Sequence, residues 1–427
     1  MSQPRLPADQ EAVSTSSLLS NRLVAAGTAL IVLMPLAMWL ANRSAPLMLG
    51  LGAMAFLAAA VVAGRTGEIV ARLWSLLATP LGLALAAFLA WALLSVLWSH
   101  RPAASLRAWA ELVLPAVFAL AIAASGRFRP RPVWLRALAV AIILASLLAM
   151  IELASGLSQR AELGIGKLMS FVFNRPAITA LVLAVPTIHG LWQGLSNTPA
   201  ARRRDRILAV LLGLTVAALA LRSESASARL GVAVCAVCWV LSAYWPRLTL
   251  TAAAIGLVLT MAMAPVLGLA AHNWLPSVIL NRFAVMTGQA RIDIWQSFGE
   301  VVRARPIAGA GFGTSASMDR HPVAAEVAPE HRLLLGVGHP HDMPLQAWVE
   351  TGVIGAGILL VAGLLLLARL RRLPAREMAP RLALFAAAFA ISVVGHGAWQ
   401  GWWIAVLGAG ILWFGPGAAA RQGEDHG

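Results

Sequence analysis

With 427 residues, 59% of them apolar and only 12% charged, and a mean hydropathy of +0.78, the chain lies far outside the balance of a water-soluble domain. A helix needs roughly 20 mostly apolar residues to cross the hydrocarbon of a bilayer, and about twelve such runs are present. The composition therefore predicts an all-α polytopic membrane protein and excludes a soluble enzyme; the net charge of +15 reads as topology and contact with acidic lipid, with no nucleic-acid partner.

In chain order, residues 1–22 are a polar tail. The runs 23–41, 46–64, 76–98, 108–125, 133–155, 175–195, 207–222, 230–246 and 248–268 follow as spans one to nine, so 23–268 reads as one transmembrane bundle. The first run is too long for the apolar part of a cleavable signal and has no clear small-residue cleavage site, so it is expected to be retained. Cys235 and Cys238 fall within the eighth run and read as small buried thiols. Residues 269–343 then form one long segment outside the membrane. Spans ten to twelve (344–368, 380–397, 399–417) occupy 344–417, and 418–427 is a second tail. Basic residues concentrate on the N-terminal side of the spans, around 127–136, 202–206 and 369–381, roughly nineteen against roughly eight in the short segments of the other side. That bias predicts both termini in the cytoplasm and 269–343 outside. No internal repeat is visible, so the inverted-repeat plan of many transporters has no support here.

Several cations stand where the same bias should deplete them. Arg160, Lys167 and Arg175 surround the outer segment 156–174, and phosphate or glycan contact competes there with simple anchoring to lipid. In LRSESASARLG, residues 221–231, Arg222 and Arg229 are flanked by small hydroxyl residues; a guanidinium beside the free N–H groups of a helix start suits a phosphate, the alternative being an ordinary turn. Within 269–343, Ile294, Trp295, Phe298, Val301 and Val302 share one helical face, and Asp293, Gln296, Glu300 and Arg303 share the other. This amphipathic helix opens with Arg291, where the helix dipole disfavours a cation, so a phosphate or a neighbouring carboxylate is expected beside it. The following GAGFGT, residues 309–314, has no strand before it and reads as a turn, not a nucleotide loop.

The boundary between polar and apolar chain at GVGHPHDMPLQAWVETGVIGAG, residues 336–357, is the best candidate for the working centre. Seven of the nine histidines fall outside or at outer helix ends: His100, His272, His321, His331, His339, His341 and His396. Asp342 and Pro344 read as N-cap and first turn of the tenth span, which holds His341 at a positive helix end and favours the neutral imidazole that a general base requires. Gln346 and Glu350, one turn apart, are placed to orient a sugar or the imidazole, and His339 is a second loop histidine. His339, His341 and Asp342 lack the helical frame of a metal site, so neither metal nor cofactor is expected.

HPHDMPLQAWVETGVIG resembles the signature of the O-antigen ligase and polymerase superfamily: an outer histidine, usually followed by Asn, then a Leu-Gln pair and a Glu-x-Gly-x-x-Gly helix start. Here these are His341, Leu345, Gln346, Glu350, Gly352 and Gly355, with Asp342 where Asn is commoner. RIDIWQ (291–296), PIAGAGFG (306–313) and the turn ending at Arg229 are similar to further landmarks of the family in the same order. The resemblance implies a GT-C type glycosyltransferase fold with one large periplasmic loop in the bacterial inner membrane, acting without metal. It implies transfer of a glycan from undecaprenyl diphosphate to a hydroxyl acceptor, His341 taking the acceptor's proton. Arg229, Arg291, Arg160 and Arg175, with Lys167 and Arg222, would hold the diphosphate. Among the family's activities, ligation to lipid A-core is the first expectation and polymerisation of repeat units the alternative. A transporter or flippase is the rival from another class, but it calls for charged or broken helices near mid-membrane.

Overall fold

The computed structural model describes residues 8–164, 169–193, 198–274, 288–395 and 397–415. Among these residues the chain is helical throughout, with no strand. In order, the α-helices are α1 Ala8–Leu40, α2 Ala45–Val62, α3 Thr66–Leu77, α4 Pro80–Leu94, α5 Pro102–Ser125, α6 Pro132–Ala154, α7 Ser158–Glu162 and α8 Asn174–Trp192. They continue as α9 Pro199–Arg222, α10 Ala226–Tyr244, α11 Pro246–Met263, α12 Leu267–Trp274, α13 Gly288–Ala304, α14 Met343–Leu370, α15 Ala375–Val394 and α16 Gly401–Trp413. Ten stretches among the described residues are long and apolar enough to cross a membrane, which makes this a multi-pass membrane protein.

Two of the twelve expected runs fall outside those ten, for different reasons. Run 207–222 lies in the 24-residue α9, whose first turns carry Arg202, Arg203, Arg204, Asp205 and Arg206, so its charge excludes it although its length does not. Run 399–417 yields only the 13 residues of α16. The fourth span begins at Pro102, earlier than the apolar run suggested, because a proline opens it and its first two turns are polar. The amphipathic α3 was not among the expected runs.

The chain divides into two compact units. The first comprises Met1–Leu76, Leu114–Arg229 and Gly401–Gly427, and the second Leu77–Val113 and Leu230–Gln400. In the first, α1 lies along α2, and α8 packs against α6, α9 and α16. Pro176 to Thr187 of α8 are all buried, which makes α8 the core element of this unit. Asp205, 2% exposed, accepts two hydrogen bonds from Arg136 at 2.7 and 3.0 Å, so a charge that would be costly alone ties α9 to α6.

In the second unit α14 packs on α4, α11, α13 and α15. Much of the segment beyond α11 has a core of its own. Ile294, Phe298, Val301 and Val302 of α13 are buried with Met318, Val323, Val327 and Leu335 against Leu345 and Val349 of α14. Short 3-10 turns at Thr314–Arg320, Pro322–Glu326 and Arg332–Val337 fold this segment onto the start of α14. On the other face of α13, Glu300 accepts from the Ala328 backbone N–H at 2.8 Å and pairs with His331 at 2.7 Å.

Candidate functional site

The site is organised by an interruption in α14. Gly352 adopts φ +64° and ψ −169°, outside the helical region, so the two backbone rungs that would join residues 353 and 354 to 349 and 350 cannot form. The segment 306–311 replaces them. Ala310 and Gly311 N–H donate to the carbonyls of Val349 and Glu350 at 2.8 and 3.0 Å, and Val353 and Ile354 N–H donate to the carbonyls of Pro306 and Ile307 at 2.9 and 3.5 Å. Four groups orphaned in a membrane-length helix are thus satisfied by one inserted loop. The approach admits no side chain at two points. A Cβ on Gly352 would lie 2.1 Å from the Ile307 oxygen, and one on Gly309 would lie 2.5 Å from the Glu350 carbonyl carbon. The glycines of 309–314 therefore serve this docking.

Glu350, fully buried, fixes the same loop through its side chain. Its carboxylate accepts from Gly313 N–H at 2.7 Å, Ser315 N–H at 3.4 Å, Gln346 Nε2 at 2.9 Å and Trp399 Nε1 at 2.7 Å. Gln346 Oε1 in turn accepts from Ala398 N–H at 2.9 Å. Both side chains are engaged with these protein groups, which ties the 313–315 and 398–399 segments to α14. His321 supports the loop from outside, its Nε2 donating to the Ala310 carbonyl at 3.2 Å while Nδ1 accepts from Val323 N–H. Burial, reinforced by His100, holds His321 below the usual histidine range and keeps it neutral for that role.

His341 sits one residue before the cap of α14. Asp342 is the N-cap, its Oδ1 accepting from Leu345 N–H at 2.7 Å, and Pro344 lies in the first turn. Asp342 is buried, its Oδ2 has no hydrogen-bond partner among the described residues, and burial pushes its carboxyl up to about 7 against the lowering effect of the Leu345 bond. His341 has φ +55°, one of two non-glycine residues at positive φ among those described, and its N–H donates to Nδ1 of His339 at 3.2 Å. The two rings lie 4.0 Å apart between centroids. Nδ1 of His341 lies 2.9 Å from the carbonyl of Gly395, just past the end of α15. A carbonyl can only accept, so Nδ1 carries the proton and the Nε2 lone pair is left as an acceptor. The half-buried His341 thus has its tautomer fixed and its basic nitrogen without a protein partner among the described residues.

The cations divide between the units. Arg291 is half-buried on α13, one turn before Trp295, whose Nε1 donates to the Pro340 carbonyl at 3.1 Å; this fastens α13 to the histidine segment. In the first unit, Arg222 and Arg229 are exposed on either side of a turn whose serines cap helices: Ser225 Oγ accepts from Ala228 N–H, and Ser223 Oγ donates to the Ala220 carbonyl. Those hydroxyls serve the backbone. Arg160 is turned inward, 7% exposed, with Nη2 donating to the Trp39 carbonyl at 2.8 Å and its guanidinium 4.6 Å from the Phe173 ring centroid. Arg175 lies 5.4 Å from the Trp402 ring centroid and close enough to Arg43 to feel its charge, a neighbour the sequence gave no reason to single out. Lys167 and His396 lie outside the described residues. No group of three His, Cys, Asp or Glu side chains among the described residues is arranged to hold a metal ion.

Residues 207–360, just over a third of the chain, match the family described as O-antigen ligase. The matched stretch runs from α9 to the first turns after the Gly352 break and contains Arg222, Arg229, Arg291, His339, His341, Asp342, Gln346 and Glu350. Arg160, Lys167 and Arg175 precede it. No curated protein matches the chain.

Proposed function

We propose that the protein is an O-antigen ligase. It transfers a polysaccharide from undecaprenyl diphosphate to a sugar hydroxyl of lipid A-core, without metal, at the periplasmic face of the bacterial inner membrane, on a GT-C type scaffold. The observation that carries this reading is His341, with Nδ1–H tied to the Gly395 carbonyl and Nε2 open to accept a proton. In the proposed step the acceptor hydroxyl gives its proton to Nε2 and its oxygen bonds to the anomeric carbon of the donor. The bond from that carbon to the diphosphate breaks, and the electron pair leaves with undecaprenyl diphosphate. Arg291, one helical turn before the Trp295 that bonds to Pro340, heads the candidates for stabilising that charge, followed by Arg229 and Arg175. Arg222 and Lys167 remain auxiliary candidates, and Arg160 acts from the framework. An apolar crevice of about 320 Å³ in the second unit supports a polyprenyl donor. It is lined by Leu230, Leu257, Phe385, Phe389, Val393 and Val394, the last of which precedes Gly395 in the chain.

The test is a deletion strain carrying His341→Ala. The variant protein should accumulate in the membrane at normal levels while lipopolysaccharide gels lose the long-chain ladder; an intact ladder removes His341 from the chemistry. The deletion itself separates the two activities of the family, since unattached carrier-linked long chains mean ligase and single capped repeats mean polymerase.

A further inference from the structure

The first unit holds a second basic site, unrelated to the histidine segment. Five arginines, Arg65, Arg72, Arg127, Arg129 and Arg131, line a half-open cavity of about 670 Å³ together with Asn21. They come from three places in the chain: the turn before α3, α3 itself, and the linker between α5 and α6. Arginines at helix ends normally fan outward to lipid phosphate, yet these converge on one volume. Glu68 answers part of the charge, binding Arg65 at 2.6 Å and lying 3.5 Å from Arg72. Arg127 is held by neutral partners, donating to Ser20 Oγ at 2.8 Å and Asn21 Oδ1 at 2.6 Å, and Arg72 donates to the Ser125 carbonyl at 3.1 Å. These bonds hold two guanidinium groups at the cavity wall without neutralising them.

Two further features specify the anion. Val24, Ala25, Thr28 and Trp134 also line the cavity, and they belong to the membrane-length stretches of α1 and α6, so side chains of those two helices stand beside the basic rim. One wall is α3, which buries Ile69 against Ala60 and Ala124 and leaves Val70 and Trp74 53% and 69% exposed. A short helix fastened by Ile69 and Leu73 and presenting a tryptophan outward has the form of a segment lying in the headgroup layer. A cavity of this size and character suits a lipid headgroup better than a small free ion.

We propose that this cavity binds the headgroup of an anionic phospholipid carrying two phosphate groups, with its acyl chains entering along α1 and α6. Basic pockets between spans are a recurring form of such recognition. The test uses the purified full-length protein in neutral detergent, titrated with short-chain diphosphatidylglycerol, phosphatidylcholine or inorganic pyrophosphate, with binding read by native mass spectrometry. Diphosphatidylglycerol should bind and phosphatidylcholine should not. Arg72→Gln with Arg131→Gln should weaken binding about thirtyfold, from roughly two charge contacts. Arg131→Gln alone, at an exposed position, should weaken it about fivefold should the double variant prove unstable. Arg203→Gln with Arg204→Gln, equal in charge but exposed on α9 outside the cavity, should leave it unchanged. Equal loss in the two double variants would reduce the site to diffuse basic charge and overturn the proposal. So would absence of lipid binding, or pyrophosphate displacing the lipid at matched concentration.

Discussion

At the scale of single residues, His341 and Asp342 carry the two unfavourable features of the site side by side: a positive φ and a buried carboxyl with one unpaired oxygen. A left-handed φ costs a residue bearing a side chain about 1–2 kcal/mol, which the surrounding bonds from His339 and Gly395 must outweigh. Asp342 makes a pH-dependent contribution. Its carboxyl titrates at about 7 when folded and near 3.8 when exposed. Below about 3.8 both states hold the proton. As pH rises toward 7 the unfolded chain gives it up while the fold retains it, so stability falls across that window, by roughly 4 kcal/mol in total. Asp342→Asn keeps an oxygen for the Leu345 N–H and removes the titration. Thermal unfolding of the two proteins between pH 4 and pH 8 should therefore converge at the acid end and separate at the alkaline end, with the wild type falling more steeply. Parallel curves would show that this carboxyl is not held protonated. The cap itself was legible from Asp-x-Pro, because capping is local. The partners of Gln346 and Glu350 were not, since Ala398 and Trp399 lie some fifty residues away in sequence.

At the scale of elements, the break in α14 and the loop that fills it form one unit. Gly352→Ala and Gly309→Ala should each destabilise the protein by more than about 3 kcal/mol, because a methyl group would meet backbone that cannot move aside and each glycine has positive φ. Gly357→Ala, at a helical position with nothing within 4 Å, should be neutral or mildly stabilising. Melting temperatures of the solubilised proteins check this, and equal effects at the three positions would contradict the docking account. The sequence showed the glycines of PIAGAGFG as a turn and those after Glu350 as part of a helix start. Each reading was locally sound, and what escaped was that the two stretches complete each other's hydrogen bonding. The helix α3 escaped for another reason: Glu68 and Arg72 interrupt its apolar residues, so it lacks the continuous run by which spans are found.

At the scale of the whole molecule, hydropathy sufficed for a helical membrane protein, and it located each of the ten membrane-length stretches. The two further runs lie in a short helix, α16, and in one that begins with charged residues, α9, and are not among those ten. The arginine distribution still makes a testable statement about sidedness: an alkaline phosphatase fusion at Ala324 should be active and one at Arg204 inactive, and the reverse pattern would invert the orientation. The interrupted α14 also bears on biogenesis. Residues 306–311 leave the ribosome before residues 349–354, so the template is already translated when the span that depends on it arrives. A chain whose template has been misfolded or clipped would deliver to the bilayer a helix with open rungs, a defect that membrane quality-control proteases can exploit. Correct folding of residues 306–311 thus becomes a checkpoint for stable insertion of α14, which follows them.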